Sequence, residues 1–333
     1  MKIRDLLTSA QRALVLGHHN ADPDAIGSMY AFQKAIEKIN PNCDVTLACD
    51  DVSRLSNQVL QTFSPDVQIK DEASGTFDLV VLLDTNSKLQ IGSQFQDYTK
   101  DPSKVLVIDH HEEDPEISKL AATNIIRTDR SSTCEMVTGL FESMNLKMDK
   151  STANLLLAGM MFDTRRFFYA DQETLSTALK LLEYGAEYEE CVYSLIIRPD
   201  RSERIARLKA ASRTRIHTIS KWIVTTSTVN AFEASSCRGL LALGADVAIV
   251  AGKPAENVVR FSARSTKEFY EETKVNLGID IMEPLGEIIG GKGGGHPNAA
   301  GANGVKNRTK GLKKSIEFIR TAIAKSESNH LDS

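Results

Sequence analysis

The sequence predicts an α/β protein: a mostly parallel sheet flanked by helices, followed by a second, smaller α/β domain. Three observations lead there. Short, uninterrupted apolar runs alternate with segments of helical periodicity through the first half. Histidines and aspartates stand where those runs stop. The second half changes texture and carries a glycine cluster and a basic amphipathic segment.

The elements follow in order. Residues 13–17 read as a short buried strand. Residues 25–39 read as an amphipathic helix, because Ile26, Met29, Tyr30, Ala35, Ile36 and Ile39 recur near a 3.6-residue period. Residues 44–49, 77–83 and 104–108 are further strands, the last two continuously apolar, as parallel strands buried on both faces tend to be. Helices are expected over 133–144, 151–162 and 173–184, the last closed by Gly185. Arg198-Pro199-Asp200 interrupts the pattern, and the charged stretch after it reads as a connector. Strands are expected at 222–229, 247–251 and 257–263, and a helix at 310–325. The resulting division is 1–195, a connector 196–215, a second domain 216–326 and a frayed tail 327–333.

Composition narrows the function. A chain of 333 residues suits two domains at about 150 residues each. The formal charge is −4 and no run of five Lys or Arg occurs, which argues against long duplex nucleic acid as partner. The five cysteines include no C-x-x-C pair, favouring free thiols in a reducing compartment. The first twenty residues lack a signal peptide's apolar core, and 155–162 is far too short to cross a bilayer, so a cytoplasmic protein without membrane attachment is expected. The apolar face of 151–162 is read as core; it is also the surface a homodimer would use.

Seven histidines occur, and four of them lie in two His-His pairs beside aspartates. His18, Asp22 and Asp24 follow the first strand, Asp84 ends the third, and Asp109, His110 and His111 end the fourth. Asp163 closes the helix 151–162. In an open parallel sheet the carboxyl ends of the strands share one edge, so these groups converge. Four carboxylates, Asp22, Asp24, Asp84 and Asp163, balance two divalent cations; without them repulsion raises some of their pKa values. Carboxylate and imidazole together suit manganese, with magnesium the alternative. Two such ions about 3.5–4 Å apart clamp a phosphoryl group for in-line attack by an activated hydroxide. Asp24, just before Ala25, is also placed to cap a helix.

H-x-x-x-D-x-D, then D, D-H-H and D-T, in this order over roughly the first 190 residues, resembles the DHH phosphoesterase superfamily. The resemblance implies that His18 and Asp22 hold one metal, that Asp24, His110 and Asp163 hold the other, and that Asp84 bridges both. It implies that His111 meets a substrate phosphate while Asp109 orients a ligand from behind. Asp84, His110 and His111 would carry the catalysis. The spacing to Asp22 favours His18 over His19.

The run Gly290-Gly291-Lys292-Gly293-Gly294-Gly295-His296 is not a P-loop, since Gly293 follows the lysine. Its glycines would admit close backbone approach to an anion, with His296 donating to it and Arg264 gripping a phosphate in bidentate fashion. G-G-G-H-x-x-A-A-G behind an Arg264-Ser265 strand end is similar to the DHH-associated domain of nanoRNases and RecJ-type exonucleases. It is less like the second domain of family II pyrophosphatases. That likeness implies Gly293, Gly294, Gly295, His296 and Arg264 as substrate-binding residues across a cleft from the metals. The expected substrates are short oligonucleotides, linear dinucleotides or 3′-phosphoadenosine 5′-phosphate, cleaved to mononucleotides. Two alternatives stand beside this. A RecJ-like exonuclease would draw on Arg127, Arg130, Arg165 and Arg166 as a strand channel. A nucleotide-binding regulator would bind without turnover.

Overall fold

The computed structural model describes residues 3–331. The chain forms two compact units, Met1–Ile197 and Arg198–Ser333. The first runs α1 (Ile3–Ser9), β1 (Arg12–Leu16), α2 (Pro23–Ile39), β2 (Asp44–Ala48), α3 (Arg54–Phe63), β3 (Leu79–Leu83), β4 (Val105–Asp109), α4 (Ile117–Leu120), β5 (Thr123–Ile126), α5 (Thr133–Ser143), α6 (Lys150–Asp163), α7 (Gln172–Glu183) and α8 (Tyr188–Ser194). The second runs α9 (Arg201–Ser212), β6 (Arg215–Ile219), β7 (Trp222–Val229), α10 (Glu233–Ala242), β8 (Val247–Ala255), β9 (Val258–Ser265), α11 (Lys267–Thr273), α12 (Glu283–Ile288), β10 (Lys292–His296), β11 (Ala299–Gly304) and α13 (Arg308–Leu331).

The first unit carries the expected parallel sheet, in the order β2-β1-β3-β4-β5, all neighbours parallel. The order reverses between β1 and β3, and there the connections leave to opposite faces and open a crevice at the carboxyl ends. Every residue of β3 and β4 is buried, which is why those runs are apolar up to Asp109 at the end of β4. α6 is buried from Thr152 to Met161, so its apolar face is core. α6 meets α2 backbone to backbone: a Cβ on Gly159 would sit 3.0 Å from both the Asp24 Cα and the Pro23 carbonyl oxygen. All five cysteines are free and buried, packing as small hydrophobes.

The second unit is a six-stranded mixed sheet, β10-β11-β9-β8-β7-β6. Several local readings change. β5, with the sequence Thr-Asn-Ile-Ile, is too short and polar to announce itself. The charged stretch read as a connector is α9, whose Ala206 and Ala210 are buried. The connector's last residue, Arg215, opens strand β6. The C-terminal helix continues to Leu331, past the start of the expected frayed tail. Among the described residues no helix is long and apolar enough to cross a membrane.

Candidate metal centre

Asp84 is the hub. It ends β3 in the left-handed region, at φ 60°, while its amide still donates to the Ile108 carbonyl. Aspartate tolerates that conformation better than most residues. The turn drives its side chain, 1% exposed, into the crevice beside β1 and β4. His18 Nε2 lies 3.6 Å from its Oδ2; His110 Nε2 and His111 Nδ1 lie 3.5 and 3.7 Å from its Oδ1.

Three sets of donors share it, one of them with Asp109, His110 and His111, and the other two reach across the crevice. In one, His18 Nε2 stands 3.8 Å from Asp22 Oδ2. In the other, His110 Nε2 stands 3.1 Å from Asp163 Oδ2 and 4.0 Å from Asp24 Oδ2. Backbone groups fix each imidazole. His18 Nδ1 donates to its neighbour's carbonyl, His19 O, at 2.8 Å, and His110 Nδ1 faces Arg130 O at 3.3 Å. A ring that donates through Nδ1 turns its Nε2 lone pair toward the carboxylates, which is how metal-binding histidines are held.

The carboxylates are held in the same way. Asp22, and not Asp24, caps α2: its Oδ1 accepts from the amides of Asp24 and Ala25 at 2.9 and 3.1 Å. Asp24, fully buried, serves a different helix. Its oxygens accept from Thr133 N at 2.7 Å and Cys134 N at 2.9 Å, at the positive end of α5. Local sequence does not separate the two aspartates; the placement of α5 does. Thr133 also donates its hydroxyl to Asp84 Oδ1 at 3.0 Å, tying both carboxylates to one helix start. Sequence reasoning did not identify Thr133, although Ser132-Thr133 before a helical segment is a capping signal.

Burial and then the negative charges of Asp84, Asp163 and Asp22 hold the Asp24 carboxyl well above its ordinary range. Asp163 is raised for the same reasons, against the pull of His110. Burial opposes charging His18, yet Asp22 and Asp84 lift it to about 10. A cluster of this kind lacks positive charge.

Asp109 and His111 form a separate pair. Asp109 Oδ1 accepts from His111 Nδ1 at 2.9 Å and from the His111 amide at 3.2 Å. Burial pushes the Asp109 carboxyl up, and His111 and Asn86 bring it below its usual range. Asp109 therefore steadies His111, whose Nδ1 in turn lies 3.7 Å from Asp84 Oδ1. Asn86, also not identified from sequence, donates to Asp109 Oδ2 at 2.6 Å and to Glu112 O at 3.0 Å, and accepts from Asp114 N at 2.8 Å. Its signal was the polar triplet Asp84-Thr85-Asn86 after an apolar strand. His111 is 56% exposed, and its bond to Asp109 raises it to about 9. His19 is no part of the cluster: it is bonded to Asp50 at 2.6 Å.

The arginines read as a strand channel are mostly spent. Arg127 forks onto Asp129, Arg130 onto Glu135 and Glu173, and Arg166 donates to Leu195 O. Arg165 instead lies over Tyr169, 5.2 Å from the ring centroid. Arg165, Arg166 and Phe167 all have positive φ directly after Thr164, and Phe168 beyond them is 78% exposed. Three left-handed residues in a row are strained backbone beside a functional cluster.

In the second unit, register aligns the expected phosphate residues. Arg264 on β9 pairs with Ala299 on β11, which pairs with His296 on β10, so Arg264 and His296 share one face. His296 is exposed, and Arg264 Nη1 is held by Ala263 O at 2.8 Å. The glycine run is not a loop but the edge strand β10, and its glycines differ. A Cβ on Gly293 would lie 1.7 Å from Met282 O, and one on Gly295, at φ 137°, would meet Ala299 O at 2.7 Å. Only Gly294 faces open space. Gly293 and Gly295 are thus required by packing and backbone conformation, and of the three only Gly294 leaves room beside its Cα for an anion.

Residues 12–160 match the DHH family, N-terminal domain, and residues 234–325 match the DHHA1 domain. The chain belongs to the DHH phosphoesterase superfamily. It is 33% identical over 309 residues to an uncharacterized protein of Methanocaldococcus jannaschii, MJ0988, covering 92% of this chain and 91% of that one. It is 28% identical over 173 residues to the probable bifunctional oligoribonuclease and PAP phosphatase NrnA of Streptococcus mutans, covering 51% of this chain and 52% of that one. Of the longer curated relatives, including cyclic-di-AMP phosphodiesterases, it spans less than half the length. In fold it is similar to an exopolyphosphatase-related protein from Bacteroides fragilis, at TM-score 0.58 and 18% identity over 97% of this chain and 94% of that one.

Proposed function

We propose that this protein is a metal-dependent phosphodiesterase that hydrolyses short oligonucleotides, linear dinucleotides among them, to mononucleotides. One observation carries the reading: among the described residues, the buried Asp84 Oδ2 and His110 Nε2 have no well-formed hydrogen bond, although His110 Nε2 lies 3.1 Å from Asp163 Oδ2, and both atoms belong to the clustered donor sets. Buried polar atoms of this kind are costly unless something pairs with them. Two divalent cations fit the donors. His18, Asp22 and Asp84 would hold one; Asp24, Asp84, His110 and Asp163 the other. Manganese suits this mixture of imidazole and carboxylate, with magnesium the second choice. Bound there, the pair would polarise phosphoryl oxygens and make water a stronger nucleophile.

The chain's own groups supply the rest. His111, steadied through Nδ1 by Asp109, presents its other ring nitrogen to a non-bridging phosphate oxygen. Asn86 and Asp109 keep that ring from rotating away. Phe168 and Tyr169 offer exposed rings, within six residues of Asp163, on which a base can stack. Arg264, Gly294 and His296 would bind a substrate phosphate. With Arg127 and Arg130 already paired, a short substrate is favoured over a long strand.

The reading is tested by product analysis on RNA and DNA oligomers and 3′-phosphoadenosine 5′-phosphate, with manganese and with magnesium. Mononucleotides should appear from a dinucleotide faster than from a 20-mer, and chelation should stop the reaction. Faster processing of the 20-mer would favour an exonuclease, and binding without release would favour a regulator. Arg264→Ala and His296→Ala are expected to raise KM about tenfold or more while bound metal stays at the wild-type level. Loss of metal in either variant would contradict the division of roles.

A further inference from the structure

A cavity of about 600 Å³ lies within the second unit, between β6, β7 and the first turns of α13. It belongs to the β6 edge of the sheet, opposite the β10 edge that carries His296. Four cations line it: Arg213, Arg215, Arg308 and Lys313. Among the described residues none of them makes an ion pair; the Arg213 guanidinium donates only to the Thr228 carbonyl, at 3.4 Å. The one carboxylate in the lining, Glu317, is engaged by Lys314. The surplus is felt by His217 inside the cavity, which burial and then Arg320 and Arg215 hold below its ordinary pKa.

Like charges crowded into a concavity without counter-charge repel one another, and an anion relieves that. Guanidinium groups suit phosphate in particular. The space exceeds what phosphate needs and falls within the usual range for a ligand of nucleotide size. Leu312 and Ile316 give it an apolar wall for a base, and the Thr226 hydroxyl, paired with His217 Nε2 at 3.2 Å, lies within it.

We propose that this cavity is a second ligand site, separate from the metal centre, which takes a phosphorylated nucleoside. The proposal does not depend on the hydrolytic activity, since its readout is binding. The manganese-loaded full-length chain is titrated with adenosine 5′-monophosphate by calorimetry, with adenosine as control. A saturable site is expected that Arg264→Ala leaves in place and that the double variant Arg215→Ala, Lys313→Ala weakens at least about tenfold. Arg308→Glu, a second variant at the start of α13, should weaken it further, because a repelling charge replaces an attracting one. Circular dichroism should be unchanged in all of them. Binding untouched by these cavity substitutions, adenosine binding as tightly as its monophosphate, or no saturable site besides one lost in Arg264→Ala overturns the proposal.

Discussion

Replacing Asp84 with alanine is expected to lower phosphodiester hydrolysis by at least about 10³-fold, the largest loss of any single change in this chain. Among the described residues no other carboxylate is approached by three imidazoles, and no other belongs to all three donor sets. In the proposed two-metal arrangement, removing it would leave each metal one ligand short and break the shared position. Alanine at φ 60° also carries a backbone cost of about 1–2 kcal/mol, so Asp84→Asn is the cleaner partner experiment. Asparagine accepts the left-handed turn and keeps the shape. It removes a negative charge that raises Asp24 but also favours the charged forms of His18, His110 and His111, so the two proteins are compared by their response to metal and not by their metal-free melting temperatures. Addition of manganese should separate them. At 100 times its dissociation constant a ligand stabilises the folded state by about 2.7 kcal/mol, and only wild type should gain that much. A manganese-dependent rise in melting temperature equal in both proteins, or activity near wild type in Asp84→Ala, would dismantle the two-metal assignment.

Gly293→Ala is expected to destabilise the second unit by about 3 kcal/mol or more, while Gly294→Ala leaves its stability at or slightly above wild type. The alanine methyl at 293 would have to occupy the position of Met282 O, 1.7 Å away. That neighbour is backbone, so no side-chain rotation relieves the overlap. At 294 nothing lies within 4 Å, and alanine reduces the freedom of the unfolded chain. The second variant should instead show a raised KM for a dinucleotide, because the methyl projects from the face shared with His296. Thermal unfolding followed by circular dichroism decides the first point and steady-state kinetics the second. Equal melting temperatures would remove the packing explanation of the run.

The candidate site was legible because its ligands end apolar runs. Leu79–Leu83 and Val105–Asp109 are buried on both faces, so a polar residue is admitted only where the strand leaves the sheet. Asp84, Asp109 and His110 stand at those exits. The glycine run gave no such reading. Residues without side chains show no period, so nothing in the run announces the strand β10.

What the sequence determined by itself was therefore the parallel sheet, the order of the candidate metal ligands, and the presence of a second domain of different texture. Periodicity and chemical type are local properties, and those features rest on them. The tertiary structure alone decided which aspartate caps α2 and which is given to α5. It decided that Asp109 serves His111, that Asn86 and Thr133 join the site, and that Arg127 and Arg130 are already paired. Each of these is a hydrogen bond or ion pair whose strength depends on distance and direction. Except where the partners are near neighbours in the chain, only folding sets both.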